Sequence, residues 1–242
     1  MTASLPMYDM ESTQNANDRF WSLIRSALGY GPVTLTRAGD PHRLWESADL
    51  FFSQTCGLPY RTELIGRVQL IGTPDYGLPE CPPGFYCSHI IVRANDPRER
   101  LADFSGSMLA RNDRRSQSGW AALENLARAD GLSFANNTLE TGAHITSISK
   151  VASGAADLAS IDALTWDLLS SGPDLCDDLR ILMSTPPTPG LPYITSLTRN
   201  ASDLAEAVSN AIEHLSEPDQ NALRLKSLVS IPTKVYCAVP TP

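Results

Sequence analysis

The sequence predicts an α/β protein, and three observations lead to that prediction. Apolar runs of about four to eight residues alternate with stretches whose apolar residues recur at helical spacing, which is typical of sheets flanked by helices. The chain has 242 residues, 42% of them hydrophobic and 19% charged, which is a globular composition. This length suits one large domain or two lobes of about 100 residues each. Two clusters of proline and glycine, at residues 72–84 and 185–192, lie roughly 100 residues apart.

Each predicted element follows from its own residues. Short apolar or β-branched runs bounded by polar, proline or glycine residues predict strands at Ala3–Tyr8, Val33–Arg37, Asp49–Ser53, Val68–Thr73, Cys87–Ala94, Ser107–Arg111, Ala156–Ile161, Leu179–Ser184 and Tyr193–Leu197. Helical periodicity predicts helices at Asn17–Leu28, Pro41–Ser47, Pro59–Gly66, Ser118–Ala129, Ile145–Ser153, Leu164–Leu169 and Ser202–Leu215. For residues 218–242 we predict a short helix through Leu228 and then an extended, proline-ended tail.

The two proline- and glycine-rich clusters leave two interpretations of the domain organisation open. They are either the places where the chain crosses from one lobe to another and back, or two surface loops of a single domain. Composition alone does not choose between these interpretations.

Charge and hydropathy exclude several classes of partner. The formal net charge is −8, so we expect neither nucleic acid nor an anionic lipid surface as a partner. No apolar run reaches the roughly 18 residues that span a bilayer. The first residues, MTASLPMYDMESTQ, lack the basic and apolar regions of a secretory signal, so the protein is either cytoplasmic or has lost a leader.

The cysteines predict no metal centre. There are five, Cys56, Cys81, Cys87, Cys176 and Cys237, and an odd number leaves at least one thiol unpaired. Cys81 and Cys87 bracket a Pro-Pro-Gly turn and either pair or stay reduced. No second Cys or His pair lies at ligand spacing, so we expect neither a metal nor a cofactor.

The stretch Ser116-Gln117-Ser118-Gly119 stands at the start of a predicted helix. Helix starts carry unpaired N–H groups and a positive dipole end, and a serine hydroxyl there donates readily to an oxyanion. Gly119 allows close approach of the backbone. The alternative is an ordinary serine cap, so both interpretations remain open.

Polar residues recur where other predicted strands and helices meet. His144 precedes a helical run, where its ring either donates to an anion or caps and packs. Asp162 follows the strand 156–161, at the end where α/β sheets present ligands, and is equally a helix cap. Gln54 and Thr55 follow another apolar strand, and Tyr8 ends the first. Polar groups from several strand ends are the expected lining of a cleft between two α/β lobes.

These residues carry a resemblance to a known family. Asp49–Gly57, the Ser116–Gly119 helix start, and Gly142-Ala143-His144 followed by 154–162 resemble the phosphate, phosphite and phosphonate substrate-binding proteins of ABC importers. The resemblance covers most of residues 1–197. It implies a two-lobed, type II periplasmic-binding-protein fold, each lobe a mostly parallel sheet flanked by helices, with two crossing strands as a hinge.

The resemblance also implies domain bounds, ligand and site. Lobe 1 comprises 1–87 and 187–242, lobe 2 comprises 88–186, and a small phosphate- or phosphonate-like oxyanion binds in the cleft between them. By matching position the ligand-binding residues are Tyr8, Gln54, Thr55, Ser116, Gln117, Ser118, His144 and Asp162. The implied protein is a periplasmic monomer that closes by its hinge, delivers its solute to an ABC permease and has no catalytic residue.

Three departures from the family keep alternatives open. The chain is short, shows no leader, and carries Cys56 in its first-lobe loop. A cytoplasmic ligand sensor of the same fold is one alternative. The other is an enzyme in which Cys56 is the nucleophile, His144 the base and Asp162 its orienting group.

Overall fold

The computed structural model describes residues 1–170 and 175–242. Its strands are β1 (Thr2–Ser4), β2 (Leu50–Gln54), β3 (Val68–Asp75), β4 (Phe85–Tyr86), β5 (Ser88–Arg93), β6 (Leu109–Arg111), β7 (Thr138–Glu140), β8 (Leu158–Asp162), β9 (Leu179–Ser184), β10 (Thr188–Pro189), β11 (Tyr193–Ser196) and β12 (Ser227–Val229). Its α-helices are α1 (Gln14–Leu28), α2 (Pro41–Trp45), α3 (Gly57–Pro59), α4 (Ala122–Ala129), α5 (His144–Ala152), α6 (Ala163–Ser170), α7 (Ala201–Glu213), α8 (Glu217–Leu223) and α9 (Thr233–Cys237). Two π-helical turns, Tyr60–Leu64 and Gln117–Ala121, and a 3₁₀ turn, Leu101–Phe104, complete the elements of the described residues.

The chain divides into two compact units. The first comprises Met1–Phe85 and Pro189–Ala238, and the second comprises Tyr86–Thr188 and Val239–Pro242. The chain leaves the first unit within β4 and returns within β10, and these two short strands pair with each other. Residues 239–242, which the resemblance assigns to the first lobe, belong to the second unit. The predicted second-lobe range, 88–186, also includes residues 171–174, which lie outside the described residues.

The first unit is a five-stranded sheet in the order β1-β2-β11-β3-β12 with helices packed on it. Helix α1 presents Phe20, Trp21 and Ile24 to the sheet, all at most 1% exposed. The Trp21 ring stacks on Phe52 of β2 at a centroid distance of 5.6 Å. Apolar residues at helical spacing thus cover apolar residues of a buried strand, as the periodicity predicts.

The second unit is a five-stranded sheet in the order β7-β6-β8-β5-β9. Alternate residues of β5 point to opposite faces, so Ile90 and Val92 enter one apolar cluster and Ile91 enters another. All three side chains are fully buried. Burial on both faces explains why this strand reads as a continuous apolar run in the sequence.

The prediction of mostly parallel sheets is wrong in detail, because both sheets are mixed. In the first unit β1 and β2 are parallel, whereas β11 runs antiparallel to β2 and β3, and β12 antiparallel to β3. In the second unit β6 is parallel to β7 and β8, whereas β5 is antiparallel to β8 and β9. An apolar run carries no information about strand direction, which is set by the connections.

The strand predicted at Val33–Arg37 is absent from the described structure. The Thr36 N–H donates to the Ala3 carbonyl at 2.7 Å, but Val33 is 75% exposed and Leu35 is buried. One such hydrogen bond does not make a β-ladder, and the apolar side chains of residues 33–37 do not share a buried face. The first strand is also shorter than predicted and ends at Ser4 rather than Tyr8.

The C-terminal prediction is correct for the presence of a short helix and wrong for its end and for the tail. Helix α8 ends at Leu223 because Arg224 adopts the left-handed conformation, with φ of 55°. Leu228 then lies in strand β12 at the edge of the sheet, and the predicted extended tail contains helix α9. Gly72 of β3 makes room for Leu228, since a Cβ at Gly72 would stand 2.8 Å from the Leu228 Cγ.

The cysteines of the described residues form no disulfide. Cys81 and Cys87, which bracket the Pro-Pro-Gly turn, are both thiols. The pairing that the sequence left open therefore does not occur in this structure.

Candidate functional site

The Ser116–Gly119 turn lies between the end of β6 and helix α4. Ser116 is extended and caps the helix, its Oγ accepting the Gly119 N–H at 2.9 Å. The π-helical turn Gln117–Ala121 follows and runs directly into α4. Behind it, the Ser160 hydroxyl of β8 donates to the Ser118 carbonyl and holds the turn against the sheet. The predicted helix start is therefore confirmed, and the cap interpretation of Ser116 is correct for its Oγ.

Ser118 and His144 are brought together from separate segments. The Ser118 Oγ lies 3.0 Å from the His144 Nε2, and the Ser116 Oγ lies 3.5 Å from the Ser118 Oγ. Ser116, Gln117 and Ser118 are all at most 6% exposed. The second unit thus collects four of the residues predicted from sequence around one helix start.

The imidazole of His144 is neutral over most of the pH range. Burial of the ring lowers the pKa of His144 to about 4. Its Nδ1 is buried and has no hydrogen-bond partner in the described part of the chain. A buried N–H without an acceptor is less favourable than an unshared acceptor lone pair, so we assign the single proton to Nε2. The Nε2–H then donates to the Ser118 Oγ, which leaves the Ser118 proton available to another acceptor.

Arg111, at the end of β6, places a cation against Trp120 of this turn. Its guanidinium lies 4.8 Å from the centroid of the Trp120 ring, and its Nη2 is 3.5 Å from a carboxylate oxygen of Glu140. The side chain is buried. Stacking on Trp120 holds the charge beside the start of the helix rather than in solvent.

Asp162 lies at the end of β8 and starts helix α6. Its Oδ1 accepts the Thr165 N–H at 2.9 Å, which is the geometry of a helix cap. Asp162 is two residues beyond Ser160 and therefore on the same face of the strand, the face that meets the Ser118 turn. The capping interpretation holds for Oδ1.

We expect Asp162→Ala to lower the free energy of unfolding by about 1 kcal/mol, because the cap of α6 is lost. Asp162→Asn keeps an acceptor at the same place and should cost much less. Urea denaturation of the two variants measures the difference, with Asp130→Ala as the exposed control. Equal destabilisation by alanine and asparagine would contradict the capping role.

The first unit gathers Tyr8 and Gln54 around Tyr76. The Gln54 Nε2 donates to the Tyr76 Oη and to the Leu191 carbonyl, both at 3.0 Å. The rings of Tyr8 and Tyr76 meet edge to face at 5.2 Å. Thr55 is fully buried, and its N–H donates to the Pro192 carbonyl at 3.0 Å. Tyr8 and Gln54 therefore both lie beside Tyr76. Thr55 contributes a backbone hydrogen bond directly after the end of β2.

Sequence reasoning missed three residues of these two clusters. Tyr76 lies inside the proline- and glycine-rich segment 72–84, where an aromatic residue between glycines was a usable signal. Ser160 lies within an apolar strand and has no distinctive sequence context. Asn112, beside Gly119, was hidden in a turn-prone basic run.

A separate surface cleft of about 230 Å³ lies in the first unit between the end of β1 and helix α2. Its cation, Arg37, is paired with Asp9 at 2.6 Å and with Asp18 at 2.9 Å. These pairs leave little charge for an incoming anion. In the described residues no group of three or more His, Cys, Asp or Glu side chains is arranged to hold a metal ion.

The Cys56 and His144 proposed for an enzyme belong to different units. Cys56 precedes helix α3 in the first unit, and its side chain makes no capping hydrogen bond to that helix. His144 already has Ser118 at its Nε2 in the second unit. Within residues 1–170 and 175–242, no helix has the length and apolarity required to cross a membrane.

Comparison with known proteins gives a family match. The sequence model of a family described as "ABC transporter, phosphonate, periplasmic substrate-binding protein" matches residues 60–231. No curated protein sequence matches the chain significantly.

Solved structures share the fold. PhnD1 from Prochlorococcus marinus in complex with methylphosphonate has a TM-score of 0.75 and 15% identity over 97% of this chain and 94% of that one. A binding-protein component of an ABC phosphonate transporter from Pseudomonas aeruginosa has a TM-score of 0.70 and 13% identity over 96% and 81%. XAC2383 from Xanthomonas citri, bound to ATP, has a TM-score of 0.69 and 15% identity over 97% and 92%. At these identities the likeness confirms the predicted two-lobed α/β fold of type II binding proteins.

Proposed function

Because the chain belongs to the periplasmic substrate-binding proteins of phosphonate ABC transporters, we propose that its Ser116–Gly119 turn and His144 bind the phosphonate-like group of the solute. The observation that carries this proposal is the hydrogen bond of 3.0 Å between the Ser118 Oγ and the His144 Nε2. This bond joins Ser118, at the start of the helix, to the neutral imidazole of His144, and it directs the Ser118 hydroxyl proton away from the ring.

The donors that this turn offers suit an oxyanion. The Ser118 hydroxyl and the first N–H groups of the turn, with the helix dipole behind them, favour negative charge in addition to the Arg111 cation beside the start of the helix. Each hydrogen bond to a charged group contributes about 1.5–3 kcal/mol. Three or four such bonds sum to about 4.5–12 kcal/mol, against about 8 kcal/mol for micromolar affinity, so further contacts with the ligand would have to offset the cost of association.

The rest of the proposal extends the family resemblance to this chain. Tyr8, Gln54 and Thr55 of the first unit would contact the ligand after hinge closure, with Tyr76 supplying a further aromatic surface. Gln117 would contribute a backbone amide, and Asp162 would face the organic substituent or an amine. We further propose that the protein acts in the periplasm as a monomer and delivers its solute to an ABC permease.

A ligand screen tests the proposal directly. Phosphate, phosphite, methylphosphonate, aminoethylphosphonate, sulfate and nitrate are added as sodium salts at equal ionic strength, and the melting temperature is measured. A ligand present at about 100 times its Kd should raise the melting temperature by roughly 5–10 °C, since it binds the folded state alone. Phosphonates or phosphate should give this shift and nitrate should not. If none of the phosphorus oxyanions shifts the melting temperature, the proposed function is wrong.

A further inference from the structure

Three residues meet at one point beside the proposed oxyanion site. A Cβ placed on Gly119 would overlap the Asn112 Oδ1 and would stand 2.7 Å from the Asn112 Cγ and 3.2 Å from the His144 Cε1. Gly119 is not among the glycines with positive φ, so its backbone conformation is open to any residue. The requirement for glycine is therefore space for Asn112, not backbone freedom, and alanine would be the better helix former.

Asn112 contacts both segments that form the Ser118–His144 pair. Its carboxamide lies against Gly119, the residue after Ser118. Its backbone carbonyl accepts the Gly142 N–H at 2.9 Å, two residues before His144. The neighbouring Arg111 carbonyl accepts the Thr141 N–H, also at 2.9 Å. Asn112, directly after β6, thus separates the serine turn from the loop that carries the histidine.

The side-chain oxygen of Asn112 is unsatisfied. Its Oδ1 is buried and has no hydrogen-bond partner in the described residues. A buried acceptor without a donor costs free energy that an aliphatic residue of similar size would not cost. Stability alone therefore gives no reason for asparagine at this place, and unsatisfied buried groups in native structures call for another explanation.

We infer that Asn112 is a positioning residue for the Ser118–His144 hydrogen bond. By filling the space over Gly119 its carboxamide fixes the distance between the Ser118 Oγ and the His144 Nε2, and so fixes the direction of the Ser118 proton. The ligand-binding consequence rests on the proposed function. The consequence for the histidine ring holds without any ligand.

The experiment is a double-mutant cycle of Asn112→Ala and Gly119→Ala, with methylphosphonate affinity measured by titration calorimetry. Asn112→Ala should lower the affinity about tenfold because the turn loses its spacer, and this corresponds to about 1.4 kcal/mol. Gly119→Ala alone should lower the affinity by more than Asn112→Ala does, because the new methyl group displaces Asn112. In the Asn112→Ala background the Gly119→Ala change should have little additional effect, since the space is then empty. Asn136→Ala, exposed in the same unit, is the matched control.

A ligand-free measurement accompanies the cycle. The ¹⁵N NMR shifts of the His144 ring should show the Nε2–H form in the native protein and a mixture of tautomers in Asn112→Ala. Far-UV circular dichroism establishes that each variant is folded. If additive effects appear in the cycle, or if Asn112→Ala leaves the ring shifts unchanged, the inference is overturned. A native protein that binds none of the oxyanions would overturn the proposed function, while the ring shifts would still test Asn112.

Discussion

Ser118→Ala is expected to lower the affinity for methylphosphonate by roughly 10- to 100-fold, because one hydrogen bond to a charged oxygen is lost. The His144 Nε2–H would also lose its acceptor at 3.0 Å, so the variant removes both hydrogen bonds of the chain that runs from His144 through Ser118 to the ligand. Titration calorimetry on the native and variant proteins measures the change.

Ser149→Ala is the matched control for this comparison. Ser149 lies in helix α5, is exposed and belongs to the same unit, so its loss should leave the affinity unchanged. A Ser118→Ala protein that is folded and binds methylphosphonate as tightly as the control would refute the placement of the ligand at this turn.

The stability of the protein is expected to fall as the pH is lowered from about 6.5 to about 4, in part because of His144. Its pKa lies near 4 in the folded protein and near 6.5 in the unfolded chain. Between these values the unfolded chain binds a proton that the folded protein excludes, so protonation favours unfolding. Above pH 6.5 the contribution is complete, and below pH 4 it is lost. A pKa shift of this size corresponds to about 3 kcal/mol.

Urea denaturation at pH 7 and at pH 4.5 measures this dependence, with His144→Gln as the comparison. The variant should lose less stability between the two pH values than the native protein. Burial also lowers the pKa of His89, which therefore contributes in the same direction in both proteins. The difference between native and variant isolates His144, and equal slopes would show that its ring is solvated.

Most helices and central strands could be predicted from the sequence because their burial is periodic. Strand β9 begins and ends at Leu179 and Ser184 as predicted, and the apolar face of α7 carries Leu204, Val208 and Ile212. The failures share a different physical cause. Val33–Arg37 has strand-like residues but no partner strand, and β12 is a strand because it reaches the edge beside β3. Pairing across the sequence is not visible in local composition.

The candidate site shows the same division. The sequence identified Ser116, Ser118 and His144 because each stands where a predicted helix begins, and polar residues before an apolar helix form a recognisable pattern. The pattern did not reveal that Ser118 contacts His144, which depends on the pairing of β6 with β7, the two strands that precede these loops. It also gave no sign of Asn112, whose importance lies in its contact with a glycine rather than in its own neighbourhood in the chain.

The uncharged state of the His144 ring has a consequence for selectivity. A protein with a formal net charge of −8 repels small anions at long range, and dissolved salt weakens that repulsion. Hydroxyl and amide dipoles act over a few ångströms and are hardly affected by the same salt. Discrimination between competing anions at this turn would then depend on the shape and basicity of their oxygens. High salt should weaken it less than it weakens binding to exposed lysine or arginine, because the adjoining Arg111 is buried against Trp120.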